Sequence, residues 1–407
     1  MSPDPWERKT IGELCEFTNG KGFRPSDWST QGLPIVRIQN LNGSTEFNYF
    51  AGVPDKRWLV MTGDLLFAWA GTKGVSFGPT LWNGEKGVLN QHIYRISPND
   101  GVDKRWLYYA LKAITARVET KAHGFKSTLL HVHKSEITDQ VVSVPPPSEQ
   151  EKIAKTLIVW ERAVERTEKL IATKASLRRG LRHQLLTGKK RFQKFVRDEG
   201  TQPTRFGTVP SDWHYLRIGD VAREVSEKNP NGQSPVVLSC TKHRGLVDSL
   251  AYFGKRVFSQ DTSTYKVVRR GQFAYATNHI EEGSIGYQDL YDEALISPMY
   301  TVFETNGQVN DSFFYKLLKT ELYRHTFEVN TSASVDRRGS LRWKEFAKIK
   351  VALPSLKEQR DIATVLHVVD KEIELLRNQL DAIKRQKRGL MLELVTGHTR
   401  VKVGVNA

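Results

Sequence analysis

The chain is poor in cysteine, the residue that makes cross-links and builds structural zinc sites. Its 407 residues include two cysteines, Cys15 and Cys240, far apart and without CxxC spacing. A disulfide framework and a structural zinc site are therefore excluded, and the reading fits a reducing cytoplasm. No apolar run approaches the ~18 residues of a membrane span. The opening Met1-Ser2-Pro3-Asp4-Pro5-Trp6 lacks the basic-then-apolar order of a signal peptide. A cytoplasmic protein with no membrane partner is expected. Acidic residues are also scarce: 45 against 61 lysines and arginines, a net charge of +16, with both halves of the chain basic. Such a balance points to a polyanionic partner, because each phosphate contact releases condensed counterions.

Catalytic signatures are missing as well. There is no GxxxxGK[ST] loop, and Gly20-Lys21-Gly22 has no upstream glycine at the needed distance. There is no HExxH. His131 and His133 alternate on an expected strand without cysteine or carboxylate at ligand spacing, so contact with phosphate suits them better than a metal. Pro145-Pro146-Pro147 lacks the flanking amide and aromatic of amino-methyltransferase motifs, having Val144 before it and Ser148 after it. Pro3-Asp4 with Glu7-Arg8-Lys9 is too closely spaced for nuclease carboxylates. The reading is a protein without catalytic residues, metal or cofactor: a binder, with 39% hydrophobic residues to build ordinary cores.

What is present is a repeat. A shift of 209 residues carries Glu149-Gln150 onto Glu358-Gln359, Ile153-Ala154 onto Ile362-Ala363, Leu157 onto Leu366, Arg179-Gly180-Leu181 onto Arg388-Gly389-Leu390, and Thr187-Gly188 onto Thr396-Gly397. In the second copy Ile362, Leu366, Val369, Ile373, Leu376, Leu380, Ile383, Leu390 and Leu394 follow a 4-3-4-3 spacing broken at Lys387, the seam of a coiled coil. The first copy keeps the frame with Ile153, Leu157, Trp160, Val164, Ile171, Leu181 and Leu185, but Thr167, Lys174 and Arg178 are polar. The first helix is therefore expected to borrow Leu170 and Leu177 beside its seam. Two such helices, each preceded by a long globular stretch, predict a tandem duplication closed as a pseudo-twofold, with the helices antiparallel. At ~1.5 Å per residue, 38 residues (149–186) span roughly 57 Å.

The globular parts repeat too, since Trp6 to Leu14 returns in type as Trp213 to Val221. Short alternating runs at 34–38, 63–69 and 90–96, a helix over 106–118 and short strands over 124–144 read as α+β. The second copy repeats this order at 236–238, 271–276 and 299–303, with a helix over 311–327 and a closing run at 348–353. Proline 145–147 marks where the first domain ends; Ser148 with Glu151 forms an expected capping box, and Gly188 an expected C-terminal stop. The resulting division is 1–147 (first domain), 148–190 (first helix), 191–210 (solvent-exposed linker), 211–354 (second domain), 355–398 (second helix) and 399–407 (tail).

These residues resemble the specificity subunit of type I restriction-modification systems over nearly the whole chain. The resemblance rests on Leu33-Pro34-Ile35-Val36-Arg37-Ile38-Gln39-Asn40-Leu41, Gly63-Asp64-Leu65-Leu66-Phe67-Ala68-Trp69-Ala70-Gly71, Leu89-Asn90-Gln91-His92, the Pro145 to Ala154 junction and Leu185-Leu186-Thr187-Gly188, the last two echoed at Leu353 to Gln359 and Val395-Thr396-Gly397. The second domain departs from the pattern at Leu238-Ser239-Cys240-Thr241 and Thr277-Asn278-His279-Ile280. The resemblance implies a non-catalytic subunit with two target recognition domains, each reading half of a split site on double-stranded DNA, and a helix pair that sets the gap. It implies as partners two modification (methyltransferase) subunits, which use S-adenosylmethionine, and motor-nuclease restriction subunits, which use ATP. Polar residues in loops that interrupt the strand pattern are the expected DNA contacts: Lys21, Arg24, Arg37, Gln39, Asn40, Lys73, Asn90, Gln91, His92, Lys126 and Ser127, then Lys242, His243, Arg244, Asn278, His279, Arg337, Arg338 and Ser340. The rival expectation is a basic coiled-coil adaptor that binds protein or RNA without preference among duplex sequences.

Overall fold

A computed structural model describes residues 6–121, 129–205, 207–229, 236–331 and 340–402. The chain divides into two compact units, one of Met1–Lys169 with Asn378–Ala407, the other of Leu170–Arg377. Each unit holds one α+β domain, the start of one long helix and the end of the other.

In unit one a sheet is ordered Cys15–Asn19, Ile93–Pro98, Leu65–Ala68, Gly78–Leu81, all antiparallel. A second sheet is ordered Tyr49–Phe50, Leu33–Val36, Gly87–Leu89, Leu59–Val60, its middle pair parallel. Unit two reproduces both. Ala222–Val225, Tyr300–Thr305, Phe273–Ala276 and Ile285–Tyr287 match the first. Gly245–Asp248, Val237–Thr241, Glu293–Ile296 and Lys266–Arg269 match the second, extended by Glu227–Lys228. A closing ribbon joins the two ends of each domain: Glu7–Thr10 with Val141–Val144, and His214–Arg217 with Lys350–Leu353. The duplication read in the sequence thus extends to strand order.

Each core lies between the antiparallel sheet and the helices. In unit one the helix Lys104–Lys121 buries Trp106, Leu107, Tyr109 and Ala110 against Leu65, Phe67 and Ile96, joined by Ile153, Leu157 and Leu394 of the long helices. In unit two Phe273 stacks on Phe303 at 4.9 Å, and Phe313, Phe314, Leu185 and Ile362 complete the cluster. The stretch 311–327 is not one helix. It forms Asp311–Leu318 and Glu321–Asn330, because the Thr320 hydroxyl accepts from the Tyr323 amide and caps a new start.

The long helices span Pro147–Leu186 and Leu356–Thr396. Ser148 is therefore inside the first turn and caps nothing: Pro147 takes the first helical position, where its missing N–H would be unpaired anyway. In the second copy Ser355 does stand at the cap, its hydroxyl accepting from the Glu358 amide at 3.4 Å. Within unit one, ion pairs Glu149–Arg400, Glu161–Lys387 and Glu168–Lys384 run in opposite order along the two helices. Within unit two Lys174–Glu372 and Arg178–Asp370 do the same. The pairing is antiparallel in both. Leu170 and Leu177 remain 43% and 48% exposed, so the first helix borrows neither; the polar seam positions Lys174, Arg178 and Lys387 are matched by carboxylates instead.

Each helix start is locked in the same way. Gln150 donates to the Pro145 carbonyl at 2.9 Å and accepts from the Asp103 amide at 2.7 Å; Gln359 donates to the Pro354 carbonyl at 2.9 Å and accepts from the Asn310 amide at 2.8 Å. The preceding glutamates are clamped by an arginine just past the other helix's end. Arg191 grips Glu358 with Nε at 2.9 Å and Nη2 at 2.8 Å, and Arg400 holds Glu149 through Nε at 2.9 Å and through Nη2. Gly188 and Gly397 make the turn that brings each arginine round, at φ 71° and 78°. A Cβ on either would strike a neighbour, Pro210 or Trp6, at 2.5 or 2.9 Å. Residues 191–210 are consequently not a plain exposed linker: Arg191 is 8% exposed, and Thr201–Thr204 pairs with Gly207–Pro210 as a hairpin.

Glu358 is 1% exposed, so its charge depends on its partner. Arg191→Met should lower unfolding free energy by about 3–5 kcal/mol, and adding Glu358→Gln should recover most of that loss. Urea denaturation of the full chain measures both; equal losses in the single and double variants would show that the pair is not the source.

Candidate nucleic-acid interface

In unit one the parallel strands end side by side. The Asn90 amide donates to the Val36 carbonyl at 3.0 Å and the Lys21 amide to the Leu89 carbonyl at 2.8 Å. Gly20 permits this approach, since a Cβ there would lie 2.2 Å from the Leu89 oxygen. Arg37, Gln39, Asn90, Gln91 and His92 are thereby gathered on one edge, with Arg24 exposed in the neighbouring loop.

The side chains there divide into outward and inward. The Arg37 guanidinium carbon lies 4.6 Å from the centre of the Trp28 ring. The Arg37 Nε is buried among the described residues without a hydrogen-bond partner. Contact with the 41% exposed Trp28 holds the planar fork in one orientation. His92 lies 5.2 Å from Trp69, which is also 5.9 Å from His131 and 6.2 Å from Tyr94. Burial first, then the nearby His131, lowers the His92 pKa. Gln39 and Gln91 are exposed.

Three of the expected contacts face inward. Asn40 is 7% exposed; its oxygen accepts from the Arg37 amide at 2.9 Å and its NH2 donates to the Ser44 and Glu46 carbonyls at 3.1 and 2.8 Å. With those bonds made, it builds the loop rather than reading a base. Lys21 Nζ sits 4.8 to 5.4 Å from the rings of Trp58, Phe50 and Phe23 and 3.9 Å from Asp27, a cation held by its own domain. Lys73 donates to the Glu119 carbonyl at 2.8 Å and braces the end of the helix Lys104–Lys121. Lys126, Ser127, Arg337 and Arg338 lie outside the described residues.

In unit two Lys242, His243 and Arg244 form the exposed turn after Val237–Thr241, the position that Arg37 to Gln39 occupies after Leu33–Val36. Arg244 packs over Tyr252 at 5.5 Å. Asn278 and His279 follow Phe273–Ala276 as Trp69 follows Leu65–Ala68. Lys319 ties these two turns together, donating to the Lys242 and Gly283 carbonyls at 2.6 and 2.7 Å. Ser340 adjoins them, because the Leu341 amide donates to the Thr277 carbonyl at 2.8 Å. Among the described residues His279, Glu281 and Glu282 form one group whose ligand atoms lie within 4.8 Å of one another, with His279 Nδ1 3.4 Å from the Glu282 carboxylate. Sequence reasoning missed the aromatic supports Trp28 and Tyr252, the tie Lys319, and the exposed Met299, which lies between Glu293–Ile296 and Tyr300–Thr305 where Asn90 to His92 lies in unit one. None of these carries a local signal.

A family profile described as a type I restriction modification DNA specificity domain matches residues 3–173 and again 210–385. The chain is 24% identical, over 98% of its length and 94% of the relative's, to the type I restriction enzyme MjaVIII specificity subunit of Methanocaldococcus jannaschii. It is 24% identical to the EcoBI specificity subunit of Escherichia coli, over 94% and 81%. The crystal structure of the S subunit of a type I restriction-modification system from M. genitalium covers 99% of this chain and 98% of its own with a TM-score of 0.54 at 17% identity, a likeness of fold. A second solved structure, described as the structural basis of complex assembly and conformational transition of the type I R-M system, gives a TM-score of 0.55 at 16% identity, over 98% and 99%.

Asn40→Ala should reduce stability by about 1–3 kcal/mol, because the Arg37 amide and two carbonyls lose their partner, whereas Gln39→Ala should stay within ~0.5 kcal/mol; thermal unfolding distinguishes them. The depressed His92 pKa also sets a sign. As pH falls below about 6.5 the unfolded chain takes up a proton before the folded one, so stability declines in that window and is full above it. His92→Asn should remove that part of the slope in a pH series of unfolding curves.

Proposed function

Given that the chain belongs to the type I restriction-modification DNA specificity family and is a specificity subunit of such a system, we propose that each of its two domains reads one half of a bipartite site on double-stranded DNA. The observation that carries this reading is one strand order built twice with different polar residues at matching loop positions, Arg37 and Gln39 in one copy and Lys242, His243 and Arg244 in the other. A scaffold would place no common demand on those loops, whereas two readers of different sequences need like folds and unlike edges. Arg37, stiffened by Trp28, suits a bidentate bond to guanine, and Asn90, Gln91 and Asn278 suit adenine. Arg24, His92, His243, Arg244, His279 and Ser340 complete the proposed contact set.

The long helices, of 40 and 41 residues, are proposed to set the spacer. At ~1.5 Å per residue each extends roughly 60 Å, enough to hold two readers about one DNA turn, ~34–36 Å, apart. The chain itself performs no chemistry in this proposal. Two modification subunits supply adenine methylation and motor-nuclease subunits supply ATP-driven cleavage. The apolar side chains left exposed on the helices, Val159, Leu170, Leu177, Val368 and Leu375, support docking of the modification subunits there.

The test is to co-express the chain with a type I modification subunit and map methylated adenines genome-wide by long-read sequencing. A split asymmetric motif is expected. Arg37→Ala should change bases in one half of it only, and removing one heptad from both helices should alter the spacer. Equal binding to all duplexes would instead favour an adaptor without sequence preference, and an unchanged spacer would overturn the measuring role of the helices.

A further inference from the structure

The two units also differ beside the ends of their long helices. Unit one has a cavity of about 290 Å³ beside the end of its long helix, lined by Val395, Thr396, Arg8, Val142 and Ser143. The cavity at the matching position of unit two is lined by Leu186, Thr187, Tyr215 and Ala352 and measures about 720 Å³. One border of this larger cavity is the hairpin Thr201–Thr204 with Gly207–Pro210, which has no counterpart among the described residues of unit one. The hairpin is firmly seated: Gln202 donates to the carbonyls of Ser211 and Trp213 at 3.2 and 2.6 Å.

The chemistry of the walls is two-sided. Arg179, Arg182 and Lys189 line one side against a single carboxylate in the whole lining, Glu321, while Val209, Leu322 and Tyr323 supply apolar surface. Arg179 and Arg182 are three residues apart and share a helix face. Arg178 also lines the cavity but is already paired with Asp370. Burial disfavours the Arg182 charge and Asp370 offsets part of that cost, so a further anion would complete its surroundings. The volume falls within the ~300–1,000 Å³ of small-molecule sites, which are apolar with a few convergent polar groups. Forked guanidinium groups match phosphate oxygens better than they match any neutral ligand.

We propose that this cavity binds a small phosphate ester with an apolar ring-bearing body, of mononucleotide size, independently of the DNA-reading loops. Isothermal titration of the full chain with AMP should show one site per chain. Inorganic phosphate alone and adenosine alone should each bind more weakly, since each uses one wall. Arg179→Glu, at an exposed helix position, and Val209→Trp, which fills the cavity, should each weaken AMP by at least about tenfold, the scale of one charge-assisted hydrogen bond. No heat with millimolar AMP, or binding that both variants leave unchanged, overturns the proposal; so does displacement by duplex DNA with both variants inert, which would place AMP on the reading surface.

Discussion

The fold depends on a carboxylate that has nowhere to go. Glu149 and Glu358 stand at the start of each long helix, 7% and 1% exposed, where an ionised group without a partner would be prohibitively unstable. Each finds its arginine on the other helix's far side, after a glycine in the left-handed region. The beginning of one helix is therefore tied to the end of the other, and the adjoining glutamine stitches the same turn to the domain that precedes it. Register, antiparallel sense and domain attachment are settled within a few residues, twice.

Charge performs a second task along the seam. Lys174, Arg178 and Lys387 occupy positions where leucine would give more burial, and each meets a carboxylate across the pair. Partly exposed pairs of this kind add little stability, on the order of 0–1 kcal/mol each. What they add is selectivity, because a parallel arrangement would part these opposite charges. The apolar stripe holds the helices together while the polar interruptions choose which alignment is held.

Much of this was legible in the sequence. The 209-residue shift, the 4-3-4-3 spacing and the breaks at Pro147 and Gly188 located both helices, since periodicity and punctuation are local properties, although the first ends at Leu186 rather than 190 and the second at Thr396 rather than 398. The borrowed leucines were wrong because spacing says which residues share a stripe but not that Glu372 and Asp370 stand ready opposite. Arg191 looked like one more cation in a solvated run, and its burial could be known only from the distant Glu358. The candidate interface was half readable for the same reason. Polar loop residues are marked by where the strand pattern breaks, yet whether such a residue turns outward, as Gln39 does, or inward, as Asn40 and Lys21 do, is decided by neighbours remote in the chain.

The division of the chain has an implication for its biosynthesis. Unit two is assembled from the continuous run Leu170–Arg377, whereas unit one needs Met1–Lys169 together with Asn378–Ala407. As the polypeptide leaves the ribosome, unit one must wait for Asn378–Ala407, which is made after unit two, while unit two can close without that delay. Until that segment emerges, Glu149 lacks Arg400 and the cluster around Ile153 and Leu157 lacks Leu394. In the nascent protein the amino-terminal portion is thus the part in greatest need of chaperone shelter.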